Sequence, residues 1–121
     1  MNTKAYTLNG AVYTFDVETG ALLSLEMDGV KPMMAEGKGL FDLAWPVHLE
    51  YDIQRANPTA NYGKCAPRFE YEEGTLTITY DKIPYTMPCD DVPEYEGGIS
   101  AVVTLKALED GKSVSMRLNL K

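Results

Sequence analysis

Apolar and polar residues change places with a period of two over most of the 121-residue chain. That is the spacing of strands with one buried face, not of helices. In "AVYTFD", Ala11, Tyr13 and Phe15 fall on one face and Val12 on the other. Asn9-Gly10 stands just before this run. Both residues tolerate positive φ, so the pair predicts a tight hairpin joining Tyr6 to Leu8 with Ala11 to Phe15. "DVETG" then reverses the chain, with Gly20 free to enter the left-handed region. Ala21 to Met27 forms the next strand. Asp28-Gly29 turns it into Val30 and Lys31, where Pro32 confines the pairing to an edge or a short stub.

The same period returns further along. In "PVHLEYDI", Val47, Leu49, Tyr51 and Ile53 face one side, and His48, Glu50 and Asp52 the other. In "TLTITYDK", Leu76, Ile78 and Tyr80 point inward and the threonines outward; the preceding "RFEYEEG" ends in a turn at Glu72-Glu73-Gly74. Ile99, Ala101, Val103 and Leu105 alternate, "EDGK" turns, and Val114, Met116, Leu118 and Leu120 alternate in a partner strand. "QRANPTANYGKCAP" and "IPYTMPCDDVPEYEGG" are rich in Pro, Gly, Asn and Asp and read as two long loops. No segment holds a 3.6-residue period over three turns. The best helical candidate, Gly39 to Trp45, is short and bounded by Pro46. The expectation is an all-β fold, an antiparallel β-sandwich of hairpin meanders, in a single domain spanning residues 1–121.

With the strands placed, a family resemblance comes into view. "FDVETGALLSLEMDG", Phe15 to Gly29, resembles the F-D-x-x-T-G-x-L-x-S-L…G hairpin near the start of galactose-mutarotase-like β-sandwiches. Such domains open many glycoside hydrolases and polysaccharide lyases. "YEEGTLTITYDKI" resembles their strand carrying Thr-Leu-Thr-Ile, and "ISAVVTLKALEDGKSVSMRLNLK" their closing hairpin. The similar segments cover about half of the chain, and alternating Thr-Gly hairpins also occur in other β proteins. The resemblance implies half of a supersandwich-like architecture, the N-terminal part of a larger enzyme or a small relative that closes its sheet another way. Half a sandwich leaves an apolar face or strand edge open, which a homodimer or a catalytic domain in the same parent chain would cover.

Composition narrows the function. The net charge is −7 and the isoelectric point about 4.6. That disfavours nucleic acid, whose phosphates need Lys and Arg clusters, and anionic membrane surfaces. The sequence has no apolar run near the ~20 residues of a membrane helix. "MNTKAYTLNG" lacks the apolar core of a signal peptide, which fits a cytoplasmic protein or an excised domain of a secreted enzyme. Cys65 and Cys89 lie in no CxxC pattern, and with a single histidine a zinc site is not indicated. Free thiols and a disulfide both remain open.

Candidate chemistry is sparse. Trp45, beside Pro46 and His48, offers a flat face for stacking on a sugar ring, though a lone Trp also serves a core. His48, on the polar face of its strand, could hydrogen-bond a sugar or act as a surface histidine. Tyr62, Tyr85 and Tyr95 sit in the long loops, where tyrosines make rigid amphipathic contacts. Asp90, Asp91, Glu94 and Glu96 carry the hard oxygens that Ca²⁺ prefers, but not in EF-hand spacing. A solvated acidic loop is the plain alternative. No phosphate loop or catalytic triad is readable. The resemblance supplies no catalytic residue either, since the acid and base of the sugar epimerases come largely from the later half of the sandwich. The sequence-level expectation is a non-catalytic accessory β-sandwich domain associated with carbohydrate-active enzymes, with a structural or assembly role and no cofactor beyond a compatible Ca²⁺. The alternatives are a glycan-binding module using loop aromatics and, further off, a small sugar epimerase.

Overall fold

The computed structural model describes residues 2–30, 39–41, 43–46, 53–56, 66–83, 85–86 and 99–121, of which 43–46, 53–56 and 85–86 are described as backbone only. Ten strands and no helix occur among them. β1 (Thr3–Leu8), β2 (Ala11–Asp16) and β3 (Leu22–Glu26) form a three-stranded meander. β4 (Leu43–Pro46), β5 (Ile53–Ala56) and β8 (Tyr85–Thr86) form a small sheet in the order β4-β5-β8. β6 (Arg68–Glu72), β7 (Thr75–Tyr80), β9 (Ala101–Ala107) and β10 (Val114–Leu120) form a four-stranded sheet in the order β10-β9-β7-β6. Every pairing is antiparallel.

Turn chemistry sets the registers. Asn9-Gly10, Asp28-Gly29 and Glu73-Gly74 all have positive φ at both positions, 47° and 81°, 51° and 78°, and 47° and 77°. These are the values of a type I′ turn, whose twist matches that of the flanking strands. The Asp16–Ala21 connection is longer. The Gly20 amide donates to the Asp16 carbonyl at 2.7 Å, and the Asp16 carboxylate accepts the Glu18 amide at 2.9 Å. Beyond this turn a bulge leaves Leu23 unpaired between Thr14↔Ser24 and Phe15↔Leu22. The extra residue lets both Leu22 and Leu25 stand opposite inward residues of β2, Phe15 and Tyr13.

The three-stranded and four-stranded sheets face each other as an antiparallel sandwich. Tyr6, Leu8, Phe15 and Leu22 from one meet Leu76, Ile78, Tyr80, Ala101, Val103 and Leu105 from the other, with Ile83 alongside. The alternation expected in β7 is present: Leu76, Ile78 and Tyr80 are fully buried while Thr75, Thr77 and Thr79 are only partly so. Aromatic rings join the sheets at one flank. Tyr6 on β1 stacks on Phe69 of β6 with centroids 5.9 Å apart and 8° between planes, and Phe15 lies 5.3 Å from Phe69. At one end, Asn9 Nδ2 donates to the carbonyls of Leu108 and Ser113 at 2.9 and 2.7 Å, tying the first hairpin to the last.

Two expectations change. Leu43, Ala44 and Trp45, read as part of a short helical candidate, lie in the strand Leu43–Pro46, and Gln54, Arg55, Ala56, Tyr85 and Thr86, read as loop, lie in strands. These strands have two to four residues, too few for a period of two to stand out from loop composition. Of the strand expected over Val47 to Ile53, only Ile53 lies among the described residues.

Candidate functional site

Strand order decides which flank of the sandwich is open. The Tyr71 hydroxyl on β6 donates to the Thr7 carbonyl on β1 at 3.0 Å, so β1 lies over β6. The orders β1-β2-β3 and β6-β7-β9-β10 then run away from this shared flank together. Three strands lie against four, with neighbouring strands about 4.8 Å apart; the meander reaches the β9–β10 turn through Asn9, where Val114 packs against the core, but past that end the last strand of the larger sheet extends beyond its cover. That strand is β10. Met116, Leu118 and Leu120 pair with the buried Leu105, Val103 and Ala101 and share their inward face. Yet they are 55%, 38% and 52% exposed. Nearby, Leu25, Met27 and Val30 at the end of the β3 hairpin line an apolar depression, and Met27 and Val30 are exposed. The turns Asn9-Gly10, Asp28-Gly29 and Gly111-Lys112 meet at one end of this flank, where residues of all three line a depression of about 550 Å³.

The opposite flank carries a groove of about 490 Å³ lined by Lys4, Ala5, Tyr6, Thr7, Phe69 and Tyr71. Tyr71 is 47% exposed and its ring lies 5.6 Å from that of Tyr6. The Lys4 ammonium sits 5.7 Å from the centre of the Tyr6 ring, within cation–π range. Burial pushes the hydroxyls of Tyr6 and Tyr13 above the ordinary tyrosine value. Both stay neutral near pH 7. In the turn joining β9 to β10, the Asp110 carboxylate accepts from the Ser113 hydroxyl at 2.6 Å and from the Ser113 and Lys112 amides at 2.8 and 2.9 Å. These bonds hold its pKa below the ordinary carboxylate value. They close the turn.

His48, Tyr62, Tyr95, Asp90, Asp91, Glu94, Glu96, Cys65 and Cys89 fall outside the described residues, as does the Ca²⁺ reading that rested on the acids. Trp45 and Tyr85 are placed by backbone alone. The pairing sets Leu43, Ala56 and Tyr85 in one row across β4, β5 and β8, with Trp45 two residues along β4 from that row. Among the described residues, no three His, Cys, Asp or Glu side chains come together to hold a metal ion. No helix among them is long and apolar enough to cross a membrane.

The sequence reading passed over Phe69 and Tyr71. Their alternation in "RFEYE" was available, but Arg68, Glu70 and Glu72 make the segment look like a polar lead-in to a turn. The apolar face of β10 was legible; its lack of cover depends on how many strands lie opposite, a tertiary fact. The described chemistry is therefore that of packing surfaces: an aromatic groove on the closed flank and an apolar strand on the open one. Comparison with known proteins finds no family model that matches the chain and no match among curated proteins or solved structures.

Proposed function

We propose that this chain is a non-catalytic accessory β-sandwich domain of the kind that accompanies carbohydrate-active enzymes, and that its task is structural or in assembly. The observation that carries the reading is the bare inner face of β10, where three large apolar side chains continue a buried row past the end of the covering sheet. Exposed apolar surface next to a core is the mark of a surface made to be covered. The hairpin and strand motifs at Phe15 to Gly29, Tyr71 to Ile83 and Ile99 to Lys121 supply the link to carbohydrate-active enzymes, as a resemblance.

A glycan array tests this reading. A structural domain shows no saturable binding to neutral or acidic glycans and no turnover of reducing sugars or aryl glycosides. Saturable binding or turnover would overturn it. The groove at Lys4, Tyr6 and Tyr71 favours a second reading, a glycan-binding module. An exposed tyrosine face beside a lysine suits the apolar face and the hydroxyls of a sugar. That reading requires saturable binding that Tyr71→Ala abolishes.

A further inference from the structure

Among the described residues, the backbone of β10 is as open as its side chains. The Lys121 amide donates to the Ser100 carbonyl at 2.8 Å and the Ser100 amide to the Lys121 carbonyl at 3.2 Å, a doubly bonded pair. The Leu108 amide donates to the Ser113 carbonyl at 2.9 Å. Bonded pairs alternate along an antiparallel ladder, so Ser113, Ser115, Arg117, Asn119 and Lys121 turn their backbone groups toward β9. Val114, Met116, Leu118 and Leu120 turn theirs outward, where β10 is the edge of its sheet among the described residues. Met116, Leu118 and Leu120 thus combine an exposed apolar side chain with an outward N–H and C=O.

The other edges of the two larger sheets are guarded. β6 carries Arg68, Glu70 and Glu72 among its five residues. β3 has five residues, a bulge and Glu26. β1 carries Lys4, and its Thr7 carbonyl is taken by Tyr71. Charges, bulges and shortness are the devices that keep edges from pairing. β10 has seven regular pairs, no proline and one charge, Arg117, on its outer face.

We infer that β10 is a self-pairing edge: a second copy of this chain adds antiparallel to it about a two-fold axis at Leu118, joining two four-stranded sheets into one of eight. Self-complementarity selects both partner and register. Outward backbone groups must meet outward groups, which leaves axes at Met116, Arg117 or Leu118. An axis at Arg117 sets that cation against its own copy, which is unfavourable for directly opposed strand residues. An axis at Met116 gives the same five-residue overlap within β10 but sets Leu120 opposite Lys112 of the β9–β10 turn instead of an apolar residue. With the axis at Leu118, Leu118 meets itself, Met116 meets Leu120, Arg117 meets Asn119 and Ser115 meets Lys121. Apolar residues oppose apolar ones on the inner face, and no like charges face each other. The inference rests on the assembly reading above and names its partner.

The test pairs mass with amide exchange on the whole chain. Sedimentation or light scattering across micromolar to millimolar protein should give a mass rising from 13.4 kDa to twice that value. Over the same range, exchange at the Met116, Leu118 and Leu120 amides should slow, while the Ser115, Arg117 and Asn119 amides are protected throughout. Leu118→Lys sets two cations on the axis and should return the mass to 13.4 kDa with the odd-numbered amides still protected. If that variant fails to fold, the wild-type exchange pattern decides alone. A mass of 13.4 kDa at all concentrations, a dimer whose even-numbered amides stay fast, or a folded Leu118→Lys dimer would each overturn the inference. A monomer with slow even-numbered amides would mean that another part of the chain occupies the edge, and would overturn it too. None of these results alters the glycan-array outcome, so this inference and the broader reading fail separately.

Discussion

Gly20 lies where backbone strain and crowding coincide, and alanine separates the two. Its φ is +80°, and a Cβ there would meet Tyr80 Oη at 2.7 Å and Tyr80 Cε2 and Pro67 Cγ each at 3.1 Å. Gly10 and Gly29 have nearly the same φ, +81° and +78°, with nothing within 4 Å of the added atom. Alanine at Gly10 or Gly29 therefore meets only the left-handed backbone penalty, about 1–2 kcal/mol. Alanine at Gly20 meets that and an overlap as well. Tyr80 cannot swing aside, because it is fully buried with its ring edge-on to Phe41 at 5.2 Å. Overpacking of a buried site costs about 1–3 kcal/mol, so Gly20→Ala should cost about 3 kcal/mol or more in all. In urea, with a slope of about 2 kcal/mol per molar, the midpoint should fall by about 1.5 M, against about 0.5 to 1 M at the other two glycines. Tyr80→Phe removes the closest contact atom. In a double-mutant cycle it should recover about 1 kcal/mol of the Gly20→Ala cost. Equal costs at the three glycines, or no coupling to Tyr80→Phe, would refute the close approach of this turn to the core.

Three further predictions follow from the same geometry. Ile78 is fully buried between Phe69 and Val103 on the neighbouring strands, so Ile78→Ala should cost about 2–5 kcal/mol in urea melts. Thr77, on the other face, should cost under about 1 kcal/mol as Thr77→Ala; similar costs at both would mean a register displaced by one residue. Glu73 holds φ 47° at the first position of a type I′ turn, a place that asparagine fills with less strain, so Glu73→Asn should stabilise by about 0.5–1 kcal/mol, and a lower melting temperature would count against that turn. The Asp110 carboxyl is held low by the Ser113 hydroxyl and the Ser113 and Lys112 amides. A folded pKa below the unfolded one gives stability that is complete above the ordinary carboxylate range, about pH 4, and is lost as pH falls through the folded value. The stability gap between wild type and Asp110→Asn should therefore narrow as pH drops below about 4; a gap independent of pH would show that the turn does not depend on the charge.

The turn pairs and long strands were legible in the sequence for local reasons. Asn9-Gly10 and Asp28-Gly29 announce type I′ turns by residue type, and β7 and β9 alternate strictly enough to assign their buried faces. The bulge at Leu23 was not legible, because Leu22 and Leu23 are both apolar and either could have faced inward. Nor were β4, β5 and β8, whose pairing is decided by distant residues and not by their own pattern. The site was less legible than the fold. Loop aromatics and acids attract attention by type, whereas the open flank arises from a difference of one strand between two sheets, and no residue type records that.

Through-space proton contacts measured by NMR test the central claim, three strands over four with β10 bare, most directly. Cross-peaks are expected between the rings of Tyr6 and Phe69, whose centroids are 5.9 Å apart, and between those of Phe15 and Phe69 at 5.3 Å. The methyl groups of Met116 and Leu120 should contact their neighbours on β9 and none of the residues of β1, β2 or β3. Cross-peaks from Met116 or Leu120 to Leu22 or Leu25 would contradict the claim, since they would mean that the covering sheet reaches β10 and leaves no flank open.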